Sequence, residues 1–331
     1  MFRNKISRVV SLAIVLCSLA VSNGAVCAEE EHHCHQHRFG QFSEWSEPLN
    51  LGPVVNSEFD DLHPSISNDG LSLYITSTRL GGFGAEDIWV SQRASVNDDW
   101  GAPQNLGPTI NTAYNDTAPN LTRDEHWMYF HSPRPGFCGN ADLFVSYRAD
   151  TDDDFSWEAP VNLGCVINTE FFENAPTVFE DEETGTTSMY FASLNRPGGL
   201  GDYDIYVSTL LDDGTFGPGD LVPELSSPQS DTRTAIRRDG LEMFITSTRP
   251  GGQGDTDIWV STRATTLDAW STPVNLGPPV NTAFADGGPA LSCDGTTLYF
   301  TSTRLGGFGG RDLYVTTRHR LHHHGEDDAE K

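Results

Sequence analysis

The sequence predicts an all-β protein: a five-bladed β-propeller with four antiparallel strands per blade. Three observations lead there. One repeat occurs five times, each copy holds short runs in which apolar and polar residues alternate, and no segment carries a convincing helical period. The repeat opens on Trp-x-x-Pro-x-Asn-Leu-Gly, which begins at Trp45, Trp100, Trp157 and Trp270, with a degenerate copy at Phe216. Within the first copy there follow a loop reaching Asp61, a strand ending before Asp69-Gly70, the strand Leu73-Tyr74-Ile75-Thr76-Ser77, a glycine-rich turn, and the strand Asp87-Ile88-Trp89-Val90-Ser91. Four short strands per repeat and no helices fit radial repetition, in which each small sheet packs its faces on its neighbours and few edges stay open. The chain enters the repeat on a lone Trp45-type strand and leaves it after Asp312-Leu313-Tyr314-Val315, so the first strand is expected to complete the last blade and close the ring.

The repeat residues resemble the TolB-type, WD-like propeller repeats of bacterial envelope proteins. The pattern is nearly whole in Asp286-x-x-Pro289-x-x-Ser292-x-Asp294-Gly295, Leu298-Tyr299-Phe300-x-Ser302-x-Arg304-x-Gly306-Gly307-x-Gly309 and Asp312-Leu313-Tyr314-Val315. The resemblance implies periplasmic binding or scaffolding, and related propellers include carbohydrate-active enzymes. The OmpA-like domain that often accompanies such repeats is not present in this sequence.

Ahead of the repeats, Arg3, Lys5 and Arg8 precede an apolar run from Val9 to about Val21 and the small-residue end Val26-Cys27-Ala28, the pattern of a secretory signal peptide. The expected organisation is a signal peptide over 1–28, a His-rich tail over 29–44, the propeller over 45–318, and a His-rich acidic tail over 319–331. The apolar run is too short to span a membrane, and no second one follows, so a periplasmic or secreted chain is expected. Net charge is -27, and removing residues 1–28 takes away three cations and no anion. Such a surface excludes nucleic acid as a natural partner and suits cations, basic proteins or neutral glycans. A monomer is expected.

Four cysteines remain after cleavage, an even number for an oxidising compartment. Cys138 stands just before the third strand of blade two and Cys165 ends the strand after Trp157. Antiparallel neighbours bring the start of one strand beside the end of the other, so a Cys138–Cys165 disulfide is expected. Cys34 and Cys293 would remain, and could pair where the amino-terminal tail reaches the last blade.

Several clusters are candidates for function. The glycine-rich turn that recurs around Arg79 and Asp87 joins two strands and lacks a P-loop lysine, so it reads as a tight turn. Its Arg and Asp are expected to pair across the hairpin. Asp61, Asp116, Glu173, Asp231 and Asp286 occupy equivalent places at the start of each innermost strand and are expected to face one mouth, where they would bind a ligand or a divalent cation, the one cofactor candidate, or accept backbone N–H groups of their own loops. Blade four breaks the symmetry with Arg233 and with Thr234 where the other copies have proline, and blade one places His63 at the Arg233 position. His63 and Arg233 are therefore added to the ligand site, since asymmetric ligands need unlike groups. The tails offer His32, His33, His35, His37, His322, His323 and His324, with Cys34 and His319, as metal ligands.

Together these features predict an exported, non-catalytic binding or scaffolding module that recognises a protein segment or glycan at the propeller mouth. Two alternatives stand beside it. One is a glycosidase-like enzyme using Glu173 with Asp116 or Asp231 as its carboxylate pair; the other is a metal-binding envelope protein working through its tails.

Overall fold

In the computed structural model, which describes residues 41–136 and 138–321, the alternating segments form five four-stranded antiparallel sheets. Blade one consists of β2 (Asp61–Ile66), β3 (Ser72–Ser77), β4 (Asp87–Gln92) and β5 (Gln104–Asn105). Blade two follows with β6 (Thr117–Leu121), β7 (Trp127–Ser132), β8 (Asp142–Tyr147) and β9 (Val161–Asn162). Blade three has β10 (Phe172–Glu180), β11 (Thr187–Leu194), β12 (Tyr203–Thr209) and β13 (Asp220–Leu221), and blade four has β14 (Asp231–Ile236), β15 (Glu242–Ser247), β16 (Asp257–Thr262) and β17 (Val274–Asn275). Blade five holds β18 (Asp286–Leu291), β19 (Thr297–Ser302) and β20 (Asp312–Thr317), and takes its outer strand from the front of the chain, β1 (Leu49–Asn50).

The ring closes as expected, with Leu49 opposite Val315 and Asn50 opposite Tyr314. Backbone pairing continues outward beyond that bridge, from Ser46 N–H to the Thr317 carbonyl (2.8 Å), from Ser43 N–H to that of His319 (2.8 Å), and from Leu321 N–H to that of Gln41 (2.7 Å). The seam therefore includes residues on both sides of the two expected tail boundaries. Among the described residues the one helix is α1 (Gly52–Val55), a single turn started by Pro53. It follows the Asn-Leu-Gly of the repeat, and Gly52, Gly107, Gly164 and Gly277 all have φ between 70° and 88°, which explains why glycine ends that motif.

The core lies between blades, because alternation gives each sheet one face for either neighbour. Tyr74, Ile88 and Val90 of blade one, for example, pack on Met128, Phe130, Phe144 and Trp157 of blade two. Four buried or half-buried seams carry the same lock: Arg93, Arg148, Arg263 and Arg318 lie over Trp100, Trp157, Trp270 and Trp45 at 4.2, 4.7, 4.2 and 4.5 Å. In each, the arginine Nε donates to the carbonyl of a hairpin residue, Gly70, Glu125, Gly240 or Gly295. Blade three has Leu210 and Phe216 instead, joined by a single backbone bridge.

Cys138 and Cys165 form a disulfide with Cα atoms 5.4 Å apart, as the β8–β9 pairing requires. No helix among the described residues is long and apolar enough to cross a membrane. The expected signal peptide, Cys34, His32, His33, His35, His37, His322, His323 and His324 lie outside the described residues.

Candidate functional site

The five carboxylates at the strand starts are buried, and each is held by its own blade. Asp61 accepts from the backbone N–H and hydroxyl of Ser57 and from Ser77, and pairs with Arg79. Asp116 pairs with Arg134, Asp231 with Arg249 at 2.5 Å, and Asp286 with Arg304 at 2.7 Å. This corrects the pairing expected across the hairpin. Register places Asp61 opposite Ser77, two residues from Arg79, whereas Asp87 is taken up by the N–H groups of Phe83 and Gly84 in the glycine-rich turn. Blade three differs because Glu173 is one methylene longer. It turns to Thr169 and Ser193, and burial pushes its carboxyl up, while Arg196 lies over Tyr206 as the other turn arginines lie over the equivalent rings of their blades. Asp231 alone keeps a buried oxygen, Oδ2, without a donor.

Two residues further on, each innermost strand bulges. In four blades the bulge residue, His63, Ala118, Ala175 or Gly288, has positive φ, and its N–H crosses to the neighbouring blade, donating to Thr301, Thr76, His131 or Thr246. Blade four is the exception: Ala192 occupies the acceptor position and Arg233 the bulge. The Arg233 side chain, 5% exposed, runs across the axis, and its Nη2 donates to the carbonyls of Pro64 (2.7 Å) and Pro119 (3.2 Å). His131 is also buried beside the axis, and His63 lies half-buried there. Burial and the Arg233 charge hold His63 well below the usual imidazole range and push His131 down to about 3.

Beyond Arg233 the axis opens into a cavity of about 130 Å³ whose lining includes Arg233 and Thr234. It lies at the hairpin end of the innermost strands, opposite the end where the five carboxylates sit, and none of those five lines it. Its rim is formed by Asn68, Arg123, Glu180, Arg238 and Cys293, each at the same place in its blade and together of four different residue types. The Glu180 carboxylate accepts the Arg123 N–H at 3.0 Å, and the Arg123 guanidinium reaches the carbonyls of Glu180 (3.0 Å) and Arg238 (3.2 Å). Arg238 contacts Cys293 Sγ at 3.1 Å and Glu182 at 3.0 Å, and Glu182 also pairs with Arg123. Burial pushes the Glu180 carboxyl up, against the opposing effects of the Arg123 amide and the two arginines.

The sequence grouped Arg233 and His63 with the five carboxylates at one mouth, whereas the structure sets both beside the axis, inward of the carboxylates, and the rim of the pocket was not among the sequence candidates. The signal was present: seven residues after the repeated carboxylate, where the sequence reads Asn68, Arg123, Glu180, Arg238 and Cys293, only the two arginines agree. No group of three or more His, Cys, Asp or Glu residues that could hold a metal ion is found among the described residues.

No family model and no curated protein matches the chain. Solved structures do. An α-L-arabinofuranosidase from Lactobacillus brevis superposes with a TM-score of 0.57 at 16% identity, covering 81% of this chain and 92% of that one. A GH62 hydrolase in complex with xylotriose gives 0.55 at 11% identity, covering 84% and 98%. A thermostable family-43 glycoside hydrolase gives 0.56 at 14% identity, covering 83% and 93%. These likenesses establish the five-bladed fold. They run against the expectation of a non-catalytic binding or scaffolding module, since all three structures are glycoside hydrolases; at 11–16% identity they speak for the fold, and the carbohydrate-active alternative stands as a proposal.

Proposed function

We propose that this chain is an exported carbohydrate-active enzyme of glycosidase type that works in the axial pocket, with Glu180 as its proton donor. The observation that carries this reading is Glu180 itself, a carboxyl raised by burial on the rim of a cavity, at a position where the other four blades have Asn68, Arg123, Arg238 and Cys293. Glycosidic cleavage needs one carboxyl that still holds its proton and one that is ionised. Glu182, held between Arg123 and Arg238, is the second carboxyl of the proposed pair. Glu180 passes its proton to the departing glycosidic oxygen, and the water that adds to the anomeric carbon gives up its own proton to Glu182. Export is supported by the signal-peptide pattern and the disulfide, and envelope placement by the TolB-type repeat motifs.

The test is a panel of nitrophenyl glycosides and plant-wall and envelope oligosaccharides, assayed with the wild-type chain and Glu180→Gln. Turnover that falls at least about a hundredfold in the variant, with the melting temperature kept, supports the assignment. Absence of turnover on every glycoside, or equal turnover by the variant, overturns it.

A further inference from the structure

Arg233 is a buried cation with no anion beside it. Its Nε and Nη1 are fully enclosed and have no acceptor within the protein, and no carboxylate among the described residues pairs with it. The neighbouring histidines offer no compensation, since both are held neutral. Burial pushes the guanidinium itself down to about 9, which still leaves it charged at neutral pH. A desolvated cation with two unused donors is costly unless something acidic meets it. Thr234 adds another buried hydroxyl without a partner in the same lining. Two further guanidiniums, Arg123 and Arg238, stand in the same lining with Arg237, against the carboxylate of Glu180 and the Glu182 carboxylate that Arg123 and Arg238 share. The pocket is thus a positively charged well in a chain whose net charge is -27, so its sign runs against that of the rest of the surface.

We propose that the axial pocket is an anion site, with Arg233 as its floor, that accepts a carboxylate or similarly small oxyanion. This deepens the glycosidase reading and rests on it in one respect: within that reading the preferred sugar is an acidic one, a uronic acid whose carboxylate enters against Arg233 while its glycosidic bond lies at the Glu180 rim. Planar guanidinium donors match a carboxylate in geometry as well as charge, which is why a uronate fits better than a neutral sugar of the same shape.

The experiment uses the full chain at constant ionic strength, with three probes: formate, a galacturonic acid disaccharide, and its methyl ester. Wild type, Arg233→Met and Arg233→Lys are compared by thermal shift and calorimetric titration. The expected result is stabilisation by formate, with the acid disaccharide bound at least about tenfold more tightly than the ester, and both effects lost in Arg233→Met. Formate stabilisation that depends on Arg233, without binding of either sugar, keeps the anion site, makes a free anion its ligand, and removes the glycosidase reading. Equal binding of acid and ester with no formate effect leaves the glycosidase reading standing and overturns the anion site. Should Arg233→Met fail to fold, the acid-to-ester ratio in wild type decides the matter alone.

Discussion

Arg318 of the last blade and Glu242 of the fourth are joined at 2.5 Å with both side chains largely buried. The Arg318 guanidinium also lies over Phe42 at 3.8 Å and Trp45 at 4.5 Å, so one side chain links the front of the chain, the last blade and the fourth. Removing it leaves Glu242 with only Arg237 at 3.1 Å. Arg318→Met is expected to cost about 3 kcal/mol, the order found when one member of a buried pair is deleted, and to lower the urea midpoint without changing the slope. A change below about 1 kcal/mol would show that the seam does not depend on this pair.

The closing seam makes a second prediction, about its ends. Cutting the chain after Leu321 should leave the melting temperature unchanged. Cutting after Arg318 should lower it, because the bonds from Ser43 to His319 and from Leu321 to Gln41 disappear together with that from Arg320 to the Asp294 carbonyl. At roughly 1 kcal/mol per hydrogen bond the loss is modest, whereas deleting residues 41–56 should unfold the ring cooperatively. Thermal melts of the three truncations check the order.

Reduction of the Cys138–Cys165 bridge opens a loop of 27 residues and should cost about 3 kcal/mol. Cys138→Ser with Cys165→Ser should match reduced wild type in chemical denaturation. If the double variant is as stable as the oxidised chain, the bridge contributes nothing.

His131 governs part of the pH dependence. It accepts the Ala175 N–H at 3.3 Å in a place where other blades use threonine, and burial pushes it down to about 3 in the folded chain, against about 6.5 when exposed. Below the unfolded value the unfolded chain takes up a proton that the folded chain does not, so this contribution is present above about pH 6.5 and is lost as pH falls, at up to about 1.4 kcal/mol per pH unit. Raised carboxyls such as Glu180 work in the opposite sense, favouring the folded chain as pH falls through their range. His131→Thr keeps the acceptor and removes the titration. The difference in stability between variant and wild type should therefore shift toward the variant between pH 6.5 and 4.5, and a constant difference would refute the burial of a neutral imidazole.

Most of the fold was legible because a repeat states its strand pattern five times, and a lone opening strand with an incomplete closing blade has one economical solution. The Arg79 partner was not legible. Sequence spacing favoured the hairpin Asp87, but antiparallel register carries Asp61 to the same spot and the turn amides claim Asp87 first. The arginine–tryptophan seams went unread because the two residues of each pair come from separate places in the repeat, as with Arg318 and Trp45 at opposite ends of the chain. His131 was invisible for another reason: its role is set by the Ala175 bulge of the next blade, a contact no local pattern announces. The rim of the pocket was readable in principle, since unlike residues at one repeat position meet on the axis, yet the repeated acidic residues drew attention to the other end.

Ring closure by Leu49 and Asn50 against Val315 and Tyr314 also sets an order of events during synthesis. The first strand to be made is among the last to find its partner, because that partner lies near the far end of the chain. A nascent chain carrying four finished blades still has Trp45 without Arg318 and an edge without its neighbour. Moving the chain ends by circular permutation to a loop between blades two and three would let this strand pair as soon as blade five emerged, and should speed refolding while leaving the finished ring unchanged.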